Sequence, residues 1–326
     1  MTSPLLQNKR RDFGSILSRS GVLLGVIALV LFFSLATPFF LSFDNFVNIG
    51  RQSVVLAIAA FAMTLIIISG EIDLSMGAVG TIAGVLCAMA MQSGVSLIIA
   101  IGIAIGTGMT FGLANGLISV KLRVPSFIVT LGIASIVSAI SRTITENRPV
   151  SITNETFLSL FADSTIVGIA INIWYAVVVF ALLYFLLRNT TFGTTIYAVG
   201  GNINAVKLSG IAAERVKITI FVLAGALIGL AGLLQAARLG TARVDPITNL
   251  ELDAIAAVVL GGTSFSGGRG SLARTVLGVL LIGVLNNGLS LMNVDSYYQL
   301  IVKGLIVIGA VLLDRWSLSL SQKRPS

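Results

Sequence analysis

Histidine is absent from this 326-residue sequence, and cysteine occurs once, as Cys87. Without histidine the chain lacks the commonest general base, metal ligand and pH switch, and a lone cysteine cannot form a disulfide within the chain. Charged residues are scarce as well, at 10% against roughly 25% in soluble domains. Hydrophobic residues make up 56% of the chain. This composition predicts an all-α, polytopic membrane protein with Cys87 as a small packed side chain.

Motifs for nucleotide or metal chemistry are also missing. The glycine-rich stretch Gly261–Ser271 lacks the lysine that holds phosphate in GxxxxGK[ST]. Glu71 and Asp73 are two residues apart and so do not share a helix face. We therefore expect no catalytic residues, no cofactor, no metal and no ATP hydrolysis on this chain. The net charge of +8 is better explained by sidedness in a membrane than by a nucleic-acid partner.

The apolar runs predict about ten transmembrane spans, since a helix needs about 20 apolar residues to cross a bilayer. The eighth run is too short to cross alone, and we expect it to be half of a broken helix that continues through Gly261-Gly262-Thr263. The predicted spans are 21–41, 52–69, 75–92, 95–119, 125–142, 173–187, 218–237, 252–262, 271–291 and 297–313.

The distribution of lysine and arginine predicts that both termini are cytoplasmic, because basic residues favour that side. Most of the 21 basic residues then lie in inward-facing segments. The predicted parts are a cytoplasmic segment 1–20, a transmembrane domain 21–314 and a cytoplasmic tail 315–326. The predicted external segments are 143–172 and 238–251.

Five predicted spans precede the central loop and five follow it, which predicts two halves of inverted topology. A short echo supports this relation, with Ala114-Asn115-Gly116-Leu117 in the first half and Asn286-Asn287-Gly288-Leu289 in the second. In the fourth span, Gly108, Gly112 and Gly116 recur at four-residue spacing. Such spacing predicts close packing between helix backbones.

The central loop, 188–217, is a basic, polar segment between two apolar runs. Within it, Asn204–Gly210 predicts one or two helical turns ended by a glycine C-cap. A short helix with a firm end at the membrane surface suits a knob that docks into another protein. A structured connector without a partner fits these residues equally well.

Uncharged polar side chains occur inside the predicted spans, where they must find partners or face water. We expect most of them to form interhelical hydrogen bonds, and the remainder to suit the passage of a neutral, hydroxyl-rich solute. Charges deep in the spans are few, which disfavours an ion-coupled transporter. The polar residues are Thr64, Asn115, Thr130, Ser135, Ser138, Asn286, Asn287 and Gln299.

Several motifs resemble those of the ribose-type sugar ABC importer permeases, and the likeness runs from about residue 45 to 314. The chain departs from the family pattern at Glu71, where the family usually has a neutral residue. The motifs are Gly70–Gly77 (GEIDLSMG), Tyr197–Asn202 (YAVGGN) with Leu208–Ile211 (LSGI), Glu251–Ser264 (ELDAIAAVVLGGTS), and Leu285–Leu289 (LNNGL) with Ser296–Gln299 (SYYQ).

The resemblance implies a multi-pass permease subunit in the inner (plasma) membrane that moves ribose or a similar pentose, hexose or polyol. It implies three partners: a cytoplasmic ABC ATPase, a periplasmic sugar-binding protein and a second permease copy, identical or closely homologous. By the same resemblance, 188–217 becomes the coupling loop. Its expected contacts with the ATPase are Gly200, Gly201, Asn202, Ala205, Lys207, Leu208, Ser209, Gly210 and Ile211.

The expected substrate path is lined by Asn115, Thr130, Asn286, Asn287 and Tyr298. One alternative is a stand-alone secondary transporter or facilitator of a small polar solute. A second is an integral membrane enzyme such as a lipid-linked transferase, which would need the paired carboxylates or metal cluster that the sequence lacks.

Overall fold

The computed structural model describes residues 21–306, except 246, 248 and 296, together with residues 308 and 309. The predicted cytoplasmic segments 1–20 and 315–326 therefore lie outside the described residues. So do residues 307 and 310–313 of the tenth predicted span. Apart from the short strands and loops, the described chain is helical.

Within the described residues, twelve helices have defined ends, and residues 297–306 are also helical. A π-helical turn, Ser159–Asp163, follows α6. The helices are α1 Gly21–Ala36, α2 Phe43–Ile68, α3 Met76–Gln92, α4 Leu97–Lys121, α5 Ser126–Ile144, α6 Glu155–Leu158, α7 Ile171–Asn189, α8 Thr191–Gly201, α9 Ile203–Leu208, α10 Ala213–Leu239, α11 Leu250–Leu260 and α12 Leu272–Leu291. The strands are β1 Val150–Ser151, β2 Thr165–Ile166, β3 Ile169–Ala170 and β4 Thr241–Ala242.

A helix occupies each predicted span within the described residues. In the part of the chain that the structure describes, six helices are long and apolar enough to cross a membrane: α2, α4, α5, α7, α10 and α12. Helices α1 and α3 are apolar but shorter, and α11 has only 11 residues. The described architecture is thus helical, with apolar helices long enough to cross a membrane. The count of about ten spans, the inverted halves and the cytoplasmic termini stay predictions.

Helix α11 ends sharply rather than continuing through the glycines that follow it. The amide of Gly262 donates to the Val259 carbonyl, and the amide of Thr263 donates to the Val258 carbonyl. Gly262 has φ +82°, so this is a Schellman-type stop. The expected half-span is present, but its expected continuation through Gly261-Gly262-Thr263 is a non-helical segment.

Helix α2 forms the centre of the bundle. It packs against α7, α10, α11 and α12, and every residue from Ser53 to Ile68 is buried. A helix that is apolar around its whole circumference has no solvent face and belongs in the interior. A buried hydrogen bond of 2.9 Å between the Thr64 and Thr275 hydroxyls joins α2 to α12, which agrees with the interhelical role expected for Thr64.

Glycines allow α4 and α10 to touch backbone to backbone. A Cβ at Gly108 would overlap the carbonyl oxygen of Gly225, a Cβ at Gly225 would overlap that of Gly108, and a Cβ at Gly112 would overlap the Phe221 carbonyl. We call this contact the glycine seam. The close packing predicted from Gly108, Gly112 and Gly116 is confirmed, and the seam holds α10 against the first half of the chain.

Segments predicted on the same side of the membrane meet at the same end of the bundle. At one end, which we call the outer end, β1 pairs with β4 and Arg142 forms an ion pair of 3.0 Å with Asp245. At the other, the inner end, the Gly268 amide donates to the Ile68 carbonyl and Lys121 pairs with Glu214. Chain segments far apart in sequence thus form two distinct end surfaces.

The glycine seam predicts a sharp contrast between two helical glycines. Gly225→Val should destabilise the protein by about 3 kcal/mol or more, because the added methyl groups overlap main-chain atoms that cannot move aside. Gly106→Val is the matched control, because nothing lies within 4 Å of a Cβ at that position. Thermal unfolding of the purified variants measures the difference. Equal unfolding temperatures would contradict the seam.

Candidate functional site

The predicted knob in the central loop is a capped two-helix corner at the inner end. Asn202 ends α8, where its backbone amide donates to the Ala198 carbonyl. Its side chain caps the start of α9, accepting a hydrogen bond of 3.1 Å from the Ala205 amide. At the far end of α9, the Ile211 amide donates to Val206 and the Gly210 amide donates to Lys207. Gly210 has φ +79°, a conformation that favours glycine. The predicted helical turns and glycine cap are confirmed.

The exposed surface of this corner, which we call the α9 knob, is partly apolar. Leu208 is 90% exposed, which leaves almost the entire side chain available for contact. Most residues of the expected coupling set lie on this surface, and Ile211 is also exposed. The other exposed members are Gly201, Asn202, Ala205, Lys207, Ser209 and Gly210.

The knob is fixed to the bundle from beneath. Val206 packs against Val199 and Ala213 in a small apolar cluster. Gly200, alone in the expected coupling set, faces inward: a Cβ there would overlap the Ile68 carbonyl and crowd the Gly268 amide. The knob is therefore seated directly on the end of α2 and cannot move without moving the main chain next to it.

Tyr197 adds a second anchor beneath the knob. Its hydroxyl donates to the Gly270 carbonyl over 3.3 Å, which ties α8 to the segment between α11 and α12. Partial burial raises the pKa of this tyrosine above its usual value, so the hydroxyl keeps its proton and remains a donor at neutral pH.

The chain between α2 and α3 is not helical, and side chains accept hydrogen bonds from several of its amides. The Ile72 amide donates to Ser126 Oγ, and the Leu74 amide donates to Thr130 Oγ1. Asp73 Oδ1 accepts from the Ser75 amide and hydroxyl. Irregular backbone is tolerated at membrane depth only where protein groups satisfy it, and this segment, the 71–75 break, meets that condition.

An ion pair joins the break to the start of α10. Lys217 Nζ lies 2.5 Å from Glu71 Oε1, and both side chains are largely buried. Lys217 follows the α9 knob directly along the chain. The departure from the family pattern at Glu71 therefore has a physical partner in this chain, which the sequence did not reveal because 146 residues separate the pair.

The residues predicted for the substrate path occupy three different settings. Asn115 donates to Ser75 Oγ and, with Thr130, supports the 71–75 break. Asn287 exchanges two hydrogen bonds with Asn45, of 2.9 and 3.0 Å. Tyr298 is 66% exposed. The structure thus gives Asn115, Thr130 and Asn287 hydrogen-bonded positions between chain segments, and it does not bring the five residues together.

Like Asn115, whose Oδ1 is buried and unpaired, Asn286 keeps part of its side chain without a partner among the described residues. Its Oδ1 is buried and makes no hydrogen bond to any described residue.

Sequence reasoning also missed the partner of Lys303, which is Asp253 on α11 at 2.8 Å. A lone basic residue in an apolar span was the available signal, since such a charge needs a partner.

Comparison with known proteins shows which family and which relatives this chain is similar to. A family model described as "Branched-chain amino acid transport system / permease component" matches residues 45–311. A ribose import permease of Bacillus subtilis (strain 168) is 41% identical over 95% of this chain and 96% of its own length. The ribose import permease of Escherichia coli (strain K12) is 37% identical over 96% of this chain and 99% of its own.

A more distant relative transports a different sugar by its name. The L-arabinose ABC transporter permease of Azospirillum brasilense is 34% identical over 92% of this chain and 88% of its own length. No solved structure matches this chain.

The Glu71–Lys217 ion pair predicts non-additive effects of substitution. Lys217→Met should destabilise the protein by about 2–3 kcal/mol, because it leaves a largely buried carboxylate without its partner. Combining it with Glu71→Gln should restore most of that loss, since no charge then remains to be desolvated. Unfolding of the single and double variants measures the coupling, and additive effects would contradict it.

Proposed function

Because this chain belongs to the branched-chain amino acid transport system permease family, and within it to the ribose-type sugar ABC permeases, we propose that it moves a monosaccharide inward across the membrane. It is the multi-pass permease subunit of an ABC importer and hydrolyses no ATP itself, since the ATPase of such a system is a separate subunit. The observation that carries the proposal is the 37–41% identity to ribose import permeases over nearly the whole chain.

The proposed substrate is a neutral pentose, hexose or polyol. The relatives named for a substrate include ribose, L-arabinose and D-allose permeases, all of which are monosaccharide systems. Uncharged amides and hydroxyls dominate the polar groups inside the spans, which suits a neutral solute carrying many hydroxyls. Nothing in the comparisons favours a stand-alone secondary transporter.

The α9 knob is the proposed docking point for the ATPase. Its exposed Leu208 offers an apolar side chain whose burial in an interface would be favourable. The caps at Asn202 and Gly210 keep the helix short and defined, so little order must be gained on binding. Gly200 seats the knob on the end of α2, which lets a push on the knob reach the bundle.

Two routes connect the knob to the interior. One runs through Gly200 to Ile68 at the end of α2. The other runs along the chain into α10 and through Lys217 and Glu71 to the 71–75 break. Rigid-body transmission needs packed elements rather than a flexible loop, and both routes meet this requirement. ATP binding would then tilt α2 and α10 together, opening the bundle toward the outer end.

The outer end is the proposed landing surface for a periplasmic binding protein. It is built by the predicted external segments, which the β1–β4 pairing and the Arg142–Asp245 ion pair join into one surface. We further propose that a second copy of the permease completes the transporter. Asn286 and Tyr298 remain the proposed path residues that are not committed to structural hydrogen bonds between helices.

Leu208→Asp tests the docking role of the knob. The variant should bind the ATPase at least about tenfold more weakly, a loss of about 1.4 kcal/mol, because a charge replaces an apolar anchor. Leu208→Met should bind normally. Val167→Asp is the matched control for ATPase binding alone, since Val167 is 89% exposed at the outer end, away from the α9 knob. Co-purification with the ATPase and ATP-driven sugar uptake are the measurements, and normal binding by Leu208→Asp would remove the knob from the interface.

A further inference from the structure

A polar cavity of about 230 Å³ lies at the outer end between α2, α10, α11 and α12. Its volume is just below the roughly 300–1,000 Å³ of pockets for drug-sized ligands, which suits a solute as small as a monosaccharide. Its polar wall includes Ser53 from α2, Gln235 and Arg238 from α10, Asp253 from α11 and Asn286 from α12.

Two polar atoms at this cavity are buried without a hydrogen-bond partner among the described residues. They are Ser53 Oγ and Asn286 Oδ1, and Ser53 is only 7% exposed. Leaving a buried polar group unpaired costs about 1–3 kcal/mol, so such groups occur where water or a ligand completes them. Gly283, which also lines the cavity, leaves the space beside Ser53 open, because a Cβ there would overlap the hydroxyl.

The electrostatics of the wall favour a neutral guest over a cation. The Asp253 carboxylate is held at 2.8 Å by Lys303, so its charge is already compensated from the helical segment 297–306. Serine, asparagine and glutamine each offer a donor and an acceptor, and arginine adds donors. A sugar hydroxyl also donates and accepts, so a mixed set of this kind matches it better than a set of a single type.

The cavity also lies where the proposed tilt of α10 would change its shape. Helix α10 carries Lys217 near its start at the inner end and Gln235 near its close at the outer end. The glycine seam keeps this helix a single packed body along α4. Gln235 and Asn286 lie on different helices, so a tilt of α10 changes the distance between them. It therefore changes how closely the cavity can hold a solute.

We propose that this cavity binds a neutral, polyhydroxylated solute of monosaccharide size on its way through the protein. Ser53, Gln235 and Asn286 supply its hydrogen bonds. The inference rests on the proposed function, and it adds the place where the permease itself holds the solute.

Cysteine protection tests the cavity. The natural Cys87 is buried at 1% exposure, so a new cysteine is the reactive thiol. Asn286→Cys, and Gln235→Cys on the facing helix, are each introduced into the full chain in complex with its ATPase. A small, water-soluble thiosulfonate reagent is then applied with ribose, arabinose, allose or glucose. Ser290→Cys, on the same helix but outside the cavity wall, is the matched control.

At a sugar concentration about ten times its Kd, labelling of the two cavity cysteines should slow about tenfold, because only the unoccupied fraction reacts. Labelling of Ser290→Cys should not change. If no sugar protects either cavity cysteine while the same variants still import sugar, the site is wrong and the proposed function stands. Protection by leucine instead of sugars would overturn the proposed solute class.

A native complex that holds both the ATPase and the binding protein, and that imports none of these sugars in the presence of ATP, would overturn the proposed function itself. That result is read from uptake alone, before any cysteine is introduced, so the two failures are distinguished by separate measurements.

Discussion

The main-chain contact between α4 and α10 is the constraint on which the remaining arrangement depends. Gly108 and Gly225 let the two backbones meet without side chains between them, and Gly232 makes a similar approach to Gly80 on α3. In lipid there is no hydrophobic drive between helices, so close packing of this kind is a main source of association. It fixes α10 against the first half of the chain along most of its length.

Because α10 is fixed in this way, the two ends of the protein are mechanically related. Its start follows the α9 knob and holds the Glu71–Lys217 ion pair, and its close contributes Gln235 to the outer cavity. Largely buried ion pairs seldom stabilise a fold by themselves, since desolvation offsets their attraction. We interpret the pair as a specific contact that fixes the position of the α9 knob relative to the 71–75 break.

The elements that local sequence signals encode were predictable, and the pairings between distant residues were not. Four-residue spacing of glycines and a glycine after a short helix act within a few residues, so the seam at Gly108 and the cap at Gly210 could be predicted. The bond between Asn287 and Asn45 spans 242 residues, and no local pattern specifies it. For the same reason Asn115, predicted as a path residue, gave no sign of its hydrogen bond to Ser75.

The central claim is that this permease has no energy source of its own, and that a separate ATPase drives it through the α9 knob. The most direct measurement is solute accumulation in proteoliposomes that hold the chain with or without its ATPase and binding protein. The account predicts that a monosaccharide accumulates against its gradient only when ATP and both partners are present. Accumulation by the chain alone, driven by a proton or sodium gradient, would contradict it.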